Sequence, residues 1–145
     1  MKFIAKNELK KDWVVMPLEG LWWMDNMKEF TVKSKDKWKW KLFIVQPSFV
    51  TKKLFDKAIK KVKEKKNPTA IEKVAFGRIH EKTAAQVMHI GSYESEAPII
   101  KKLHSFIKEN GGELSQKHHE VYLSDPRKTE QSKLKTIIRQ PFTKK

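Results

Sequence analysis

The densest chemistry in the chain lies in the run His118-His119-Glu120-Val121-Tyr122-Leu123-Ser124-Asp125-Pro126. Val121, Tyr122 and Leu123 favour a pleated strand, and Asp125-Pro126 breaks it. The strand period of two then sorts the side chains, with His118, Glu120 and Tyr122 on one face and His119, Val121 and Leu123 on the other. A carboxylate beside a phenol on one sheet face can contact a ligand, protonate a strained ring or position an attacking water. The same nine residues also read as the wet face of a half-buried strand, and alone they leave both readings open.

Other chemistries find less support. His118 and His119 are adjacent and project oppositely, and His80, His89 and His104 fall on different elements, so no metal site is expected. The chain has no cysteine, which excludes a disulfide framework, a thiolate metal site and a cysteine nucleophile. No cofactor is expected either. The net charge is +15, from 32 Lys and Arg against 17 Asp and Glu, and would suit a polyanion. Yet nearly all of these cations are lysines, scattered or set on one helix face (Lys52, Lys53, Lys57, Lys60, Lys61, Lys63, Lys65, Lys66), and arginine occurs only at Arg78, Arg127 and Arg139. A solvated lysine surface is therefore expected ahead of a nucleic-acid site.

The elements that must position the chemistry come from a chain of 145 residues, 39% hydrophobic, with five Trp and eight Phe, enough for one globular domain over 1–145. No apolar run reaches membrane-spanning or signal-peptide length, so a cytoplasmic protein with no membrane partner is expected. Strands are predicted at 11–16 (ended by Pro17), 37–45, 74–79, 83–90, 117–123 and 133–140, the last closed by Pro141. In the 37–45 strand, Trp38, Trp40, Leu42 and Ile44 share a face and read as core, with exposure at the lysine-rich start and burial of both faces beyond it. Leu21-Trp22-Trp23-Met24 is unusually apolar for a loop, and its two adjacent indoles must point apart. One helix is predicted from Thr51, as N-cap, to Asn67-Pro68, with Val50 packing on Phe55. A second runs from about Ala97, with Pro98 in its first turn, to Gly111-Gly112.

Leu42-Phe43-Ile44-Val45-Gln46-Pro47 parallels Thr136-Ile137-Ile138-Arg139-Gln140-Pro141, which suggests a duplicated strand-helix-strand-strand unit. The second copy is complete over about 83–141. The first, over about 11–49, lacks room for its opening strand and helix. The fold class expected is α+β, with pseudo-duplicated modules and a mostly antiparallel sheet.

Pro17-Leu18-Glu19-Gly20-Leu21-Trp22, the run from Gln46-Pro47 to Thr51, Met88-His89-Ile90-Gly91-Ser92-Tyr93, and His119 to Arg127 together resemble the GyrI-like small-molecule-binding family, related to effector-binding domains of bacterial multidrug-sensing regulators. The resemblance implies a cleft for bulky aromatic, often cationic compounds, with Glu120 at its centre and Tyr122 on the same strand face. It implies aromatic walls from Trp22 and Tyr93 and a pliable lining residue in Met88. A regulator's DNA-binding helix-turn-helix is absent, which implies a stand-alone bacterial binder. With the first module's opening strand and helix absent as well, a homodimer would complete the cleft. Some members hydrolyse cyclopropane-bearing genotoxins, and as a hydrolase this chain would use Glu120 and Tyr122 catalytically. Nonspecific nucleic-acid binding through the lysine-rich surface is the remaining alternative.

Overall fold

A computed structural model describes residues 1–26 and 36–144. Among the described residues, three α-helices and six strands form an α+β fold with an open antiparallel sheet. The chain packs as two compact units interleaved in sequence, one from residues 1–16 and 45–80, the other from 17–44 and 81–145.

The second unit is built on the sheet. Its strands are β1 (Leu18–Trp23), β2 (Lys39–Ile44), β3 (Ala84–Ile90), β4 (Gly112–Leu114), β5 (His118–Tyr122) and β6 (Lys135–Lys144). Their spatial order is β2-β1-β5-β6-β3, with β4 added to the far part of β6. The antiparallel pairs β2-β1 and β5-β6 meet at the β1–β5 contact, and β3 flanks only the second pair. The helix of this unit (Ala97–Glu109) has Pro98 in its first turn. It covers the second half of the sheet, where Leu103 and Ile107 bury Ile138 among Ala85, Val87, Ile99, Ile100 and Phe142.

The first unit is helical. A helix we call α1 (Lys2–Leu9) precedes α2 (Lys52–Lys65), and the helix over 97–109 is α3. Ile4, Ala5, Val50, Leu54 and Ala58 form the unit's core, with Trp13, Phe49 and Phe76 around it. Thr51 caps α2 as expected, its Oγ1 accepting the Leu54 N–H at 3.3 Å. Val50 clusters with Leu54, while Phe55 stacks on Phe76 at 5.5 Å. Lys57 on α2 reaches Glu8 on α1 at 2.6 Å, and this ion pair holds the Glu8 carboxyl below its ordinary range.

Several expectations are corrected. Residues 11–16 form no strand. Val14 is 82% exposed there, and the strand instead begins after Pro17, where Leu18–Trp23 finds partners on both sides in β2 and β5. Residues 74–79 form no strand either, because the 3-10 turn Thr69–Lys73 leads into backbone that pairs with no strand. The last strand is not closed by Pro141. It runs on to Lys144, because Pro141 needs no N–H where its carbonyl accepts the Ser115 N–H and Phe142 carries on the pairing with β4. β2 is not buried on both faces. It lies at the end of the strand order, and Trp40, Leu42 and Ile44 are exposed where no counterpart of α3 covers them among the described residues.

Ile138 is fully buried under α3. Ile138→Ala is expected to cost about 2–5 kcal/mol, read as a lower urea midpoint at an unchanged slope.

Candidate functional site

β5 brings the site together because it lies inside the sheet and buries both faces. His118, His119, Glu120 and Val121 are all buried. On one face, Glu120 is 6% exposed and its two oxygens have different partners. Tyr122 Oη–H donates to Glu120 Oε2 at 2.7 Å, and His118 Nε2 lies 3.2 Å from Oε1. Trp22 of the neighbouring β1 donates its indole N–H to Tyr122 Oη at 3.0 Å. The row Trp22, Tyr122, Glu120, His118 is therefore a continuous polar line laid on a sheet face.

Gly20 makes that line fit. It pairs with Glu120 across the β1–β5 ladder, and a Cβ there would stand 2.8 Å from Trp22 Nε1 and 2.9 Å from Tyr122 Oη. Both side chains lean into the space the glycine leaves. Tyr93 closes from another direction, its ring edge-on to Tyr122 at 5.8 Å. It is aimed by the turn after β3: Gly91 takes φ +142°, and His89 Nε2 meets the Ser92 carbonyl oxygen at 3.0 Å. Where the chain leaves β5, the Arg127 guanidinium and backbone N–H bind Asp125 and bring its carboxyl down to about 2.

Of the residues expected at the site, Trp22, Tyr93, Glu120 and Tyr122 are brought together. Met88 is not. It pairs with Ile137, which in turn faces Val121, so it projects from the opposite side of the sheet to Glu120 and is 46% exposed. Two residues go beyond the sequence reading. Trp38, expected in the core, has its ring 6.0 Å from that of Trp22. Glu96, buried to 3% exposure at the start of α3, acts electrostatically on both tyrosines. An acidic residue just before the Ala97-Pro98 helix start was the only signal for it. The two indoles of β1 do part: Trp23 lies under the Lys117 ammonium, 3.4 Å from its ring centre.

The opposite face of β5 holds a second ionic set. His119 faces Glu19 through Nε2 and Glu81 through Nδ1, both at 2.8 Å, and Glu81 continues to Arg139 at 3.2 Å. A ring facing a carboxylate at each nitrogen can donate to both only as imidazolium. Surface depressions of about 450 and 520 Å³ are lined by α3 residues and by residues 108–114, and neither includes a residue of the Glu120 cluster.

Burial raises both phenols. Tyr122 is raised strongly, by burial first and then by the Glu120 charge, and Tyr93 is raised by burial and then by Glu96 and Glu120. Tyr122 is thus a fixed donor to Glu120 rather than a base.

The model of the GyrI-like small molecule binding domain matches residues 1–142. Three solved structures from Listeria innocua are similar over 97% of this chain. An uncharacterized conserved protein has a TM-score of 0.87 at 35% identity, with 72% of its own chain covered. A hydrolase has 0.81 at 32%, with 71% covered. A hydrolase encoded by lin2189 has 0.83 at 34%, with 72% covered. No curated protein matches.

Two outcomes follow from this geometry. Gly20→Ala should crowd Trp22 and Tyr122, shifting the Trp22 indole N–H resonance and costing about 1–3 kcal/mol in urea denaturation. In alkaline titration, both tyrosines of the folded protein should ionise above the pH of about 10 at which unfolded tyrosine does. The folded state then keeps protons that the unfolded state has released, so stability should fall as pH rises beyond about 10, and less so in Tyr122→Phe.

Proposed function

Because the chain belongs to the family of GyrI-like small-molecule-binding domains, we propose that it binds bulky, amphipathic aromatic cations, with Glu120 as their counter-charge. One observation carries the reading. A nearly buried carboxylate is held by Tyr122 and His118 on a sheet face, with the rings of Trp22, Trp38 and Tyr93 around it. A lipophilic cation replaces water as the partner of such a carboxylate, and each aromatic face adds roughly 0.5–2 kcal/mol of cation–π attraction. Since Glu120 is 6% exposed, the ligand reaches it as the surrounding rings move aside. The module acts by sequestering or sensing its ligand, and a second copy covers the exposed residues of β2.

A second reading is favoured by the two relatives that are called hydrolases. Water positioned by Glu120 would open a strained, electrophilic ring such as a cyclopropane, with Tyr122 holding the carboxylate in line.

Titration of a fluorescent lipophilic cationic dye separates these readings from binding by the lysine surface. Saturable binding should be weakened by about tenfold or more in Glu120→Gln while changing little with salt; a site built on lysines would instead weaken steeply with salt and be indifferent to Glu120. Mass spectrometry of a cyclopropane-bearing toxin incubated with the protein reads hydrolysis directly, as a gain of one water that Glu120→Gln abolishes.

A further inference from the structure

The positive charge of the chain is concentrated in its helical unit. Residues 1–16 and 45–80 carry thirteen Lys and one Arg against five Asp and Glu. Four of those acids already hold lysines: Glu8 holds Lys57, Asp12 holds Lys2 and Lys6, Asp56 holds Lys52, and Glu72 holds Lys63. Along α2, Lys53, Lys60, Lys61 and Lys65 are exposed and have no carboxylate in ion-pair reach among the described residues. The same unit leaves large apolar side chains in solvent, with Phe3 on α1 73% exposed and Val14 beyond it 82% exposed. We propose that this unit docks the protein on the surface of anionic lipid bilayers, with the α2 lysines over the headgroups and Phe3 and Val14 in the interface.

Both parts of this surface follow from how the helices pack. Leu54, Phe55 and Ala58 of α2 are buried, so Lys53 and Lys60, two turns apart, share its outward face. Ile4 and Ala5 of α1 are buried, which turns Phe3 and Lys6, one turn apart, outward as well. Beyond α1, Trp13 packs on the core, edge-on to Phe49, and leaves Val14 outside. The Lys57–Glu8 ion pair ties the two helices side by side, which puts their axes about 8–10 Å apart. Because each helix spends its apolar face on the core, neither can lie in a bilayer as an amphipathic anchor, and contact comes from the lysines and a few inserted side chains. No helix among the described residues is long and apolar enough to cross a membrane. Each lysine near an anionic leaflet strengthens binding about fivefold. Nucleic acid is the other polyanion that such a charge suits, but a duplex has no apolar layer for Phe3 and Val14. Its phosphates and base edges are also held best by arginine, of which the unit has only Arg78.

The test is co-sedimentation of the full chain with vesicles of phosphatidylcholine alone, or of two parts phosphatidylcholine to one part phosphatidylglycerol, at low and high salt. The wild type should bind the mixed vesicles about tenfold or more tightly than the neutral ones, and less tightly as salt rises. Reversing two charges in Lys53→Glu/Lys60→Glu should weaken that binding about tenfold or more. Phe3→Ser/Val14→Ser should weaken it about threefold or more and leave binding to a short DNA duplex, read by fluorescence anisotropy, at the wild-type level. All four positions are exposed, so circular dichroism should match the wild type. Mixed vesicles bound no better than neutral ones by the wild type would overturn the proposal, and that comparison stands even if a variant fails to fold. Vesicle binding that survives the lysine reversal in a folded variant would overturn the role of α2. Full vesicle binding by a folded Phe3→Ser/Val14→Ser, or tighter binding to the duplex than to mixed vesicles, would overturn the lipid assignment and give the surface to nucleic acid or to polyanions at large.

Discussion

A strand that buries ionisable groups on both faces must find a partner for each of them, and β5 places that demand on every element beside it. On one face His119 is met by Glu19 from β1 and by Glu81, which also holds Arg139 of β6. On the other, Glu120 is met by Tyr122 and His118, and Trp22 of β1 completes the line. Removing one member of such a set leaves a buried charge without compensation, which costs far more than the intact pair contributes. The position of β5 in the middle of the sheet, the glycine opposite Glu120 and the turn that aims Tyr93 all follow from satisfying these groups at once.

The two faces use similar residues for different ends. His119, with a carboxylate at each nitrogen, is locked into one role: it ties three elements together electrostatically. His118 meets Glu120 Oε1 instead, on the face that carries Tyr122 and Trp22. The tyrosines lie between these extremes. Burial and nearby carboxylates keep their phenols protonated, which makes them reliable donors and ring surfaces around the acid. A site of this composition offers one negative charge and several aromatic faces, a combination that favours large, weakly hydrated cations.

The lopsided sheet bears on the same site. The second half, under α3, has an ordinary packed core around Ile138, whereas β2 exposes Trp40, Leu42 and Ile44 beside the strand that carries Gly20 and Trp22. Apolar side chains at an exposed sheet edge gain little from burial and are guarded against nonspecific pairing by the lysines on either side of Trp40, Lys39 and Lys41. The polar line is anchored from the covered half of the sheet, and its aromatic end reaches into the uncovered half.

Much of this was legible in the residues themselves. The strand period placed His118, Glu120 and Tyr122 together and His119 apart. The cap at Thr51 and the Pro98 start marked two helices, because these are local signals set by backbone geometry and by side chains a few residues apart. The same locality explains the failures. Residues 11–16 and 74–79 have the composition of strands but no sheet edge to pair with, and the face of Trp40, Leu42 and Ile44 has the pattern of a core but nothing to cover it. Met88 belongs to a motif that reaches the site, yet pairing with Ile137 turns it to the other side of the sheet. By itself the sequence determined which residues share a strand face and which family the chain joins. Only the tertiary structure decided that both faces of β5 are buried, that Trp38 and Glu96 stand at the site, and that Met88 does not. Burial and charge pairing depend on strands and helices far apart in sequence, and no local pattern encodes them.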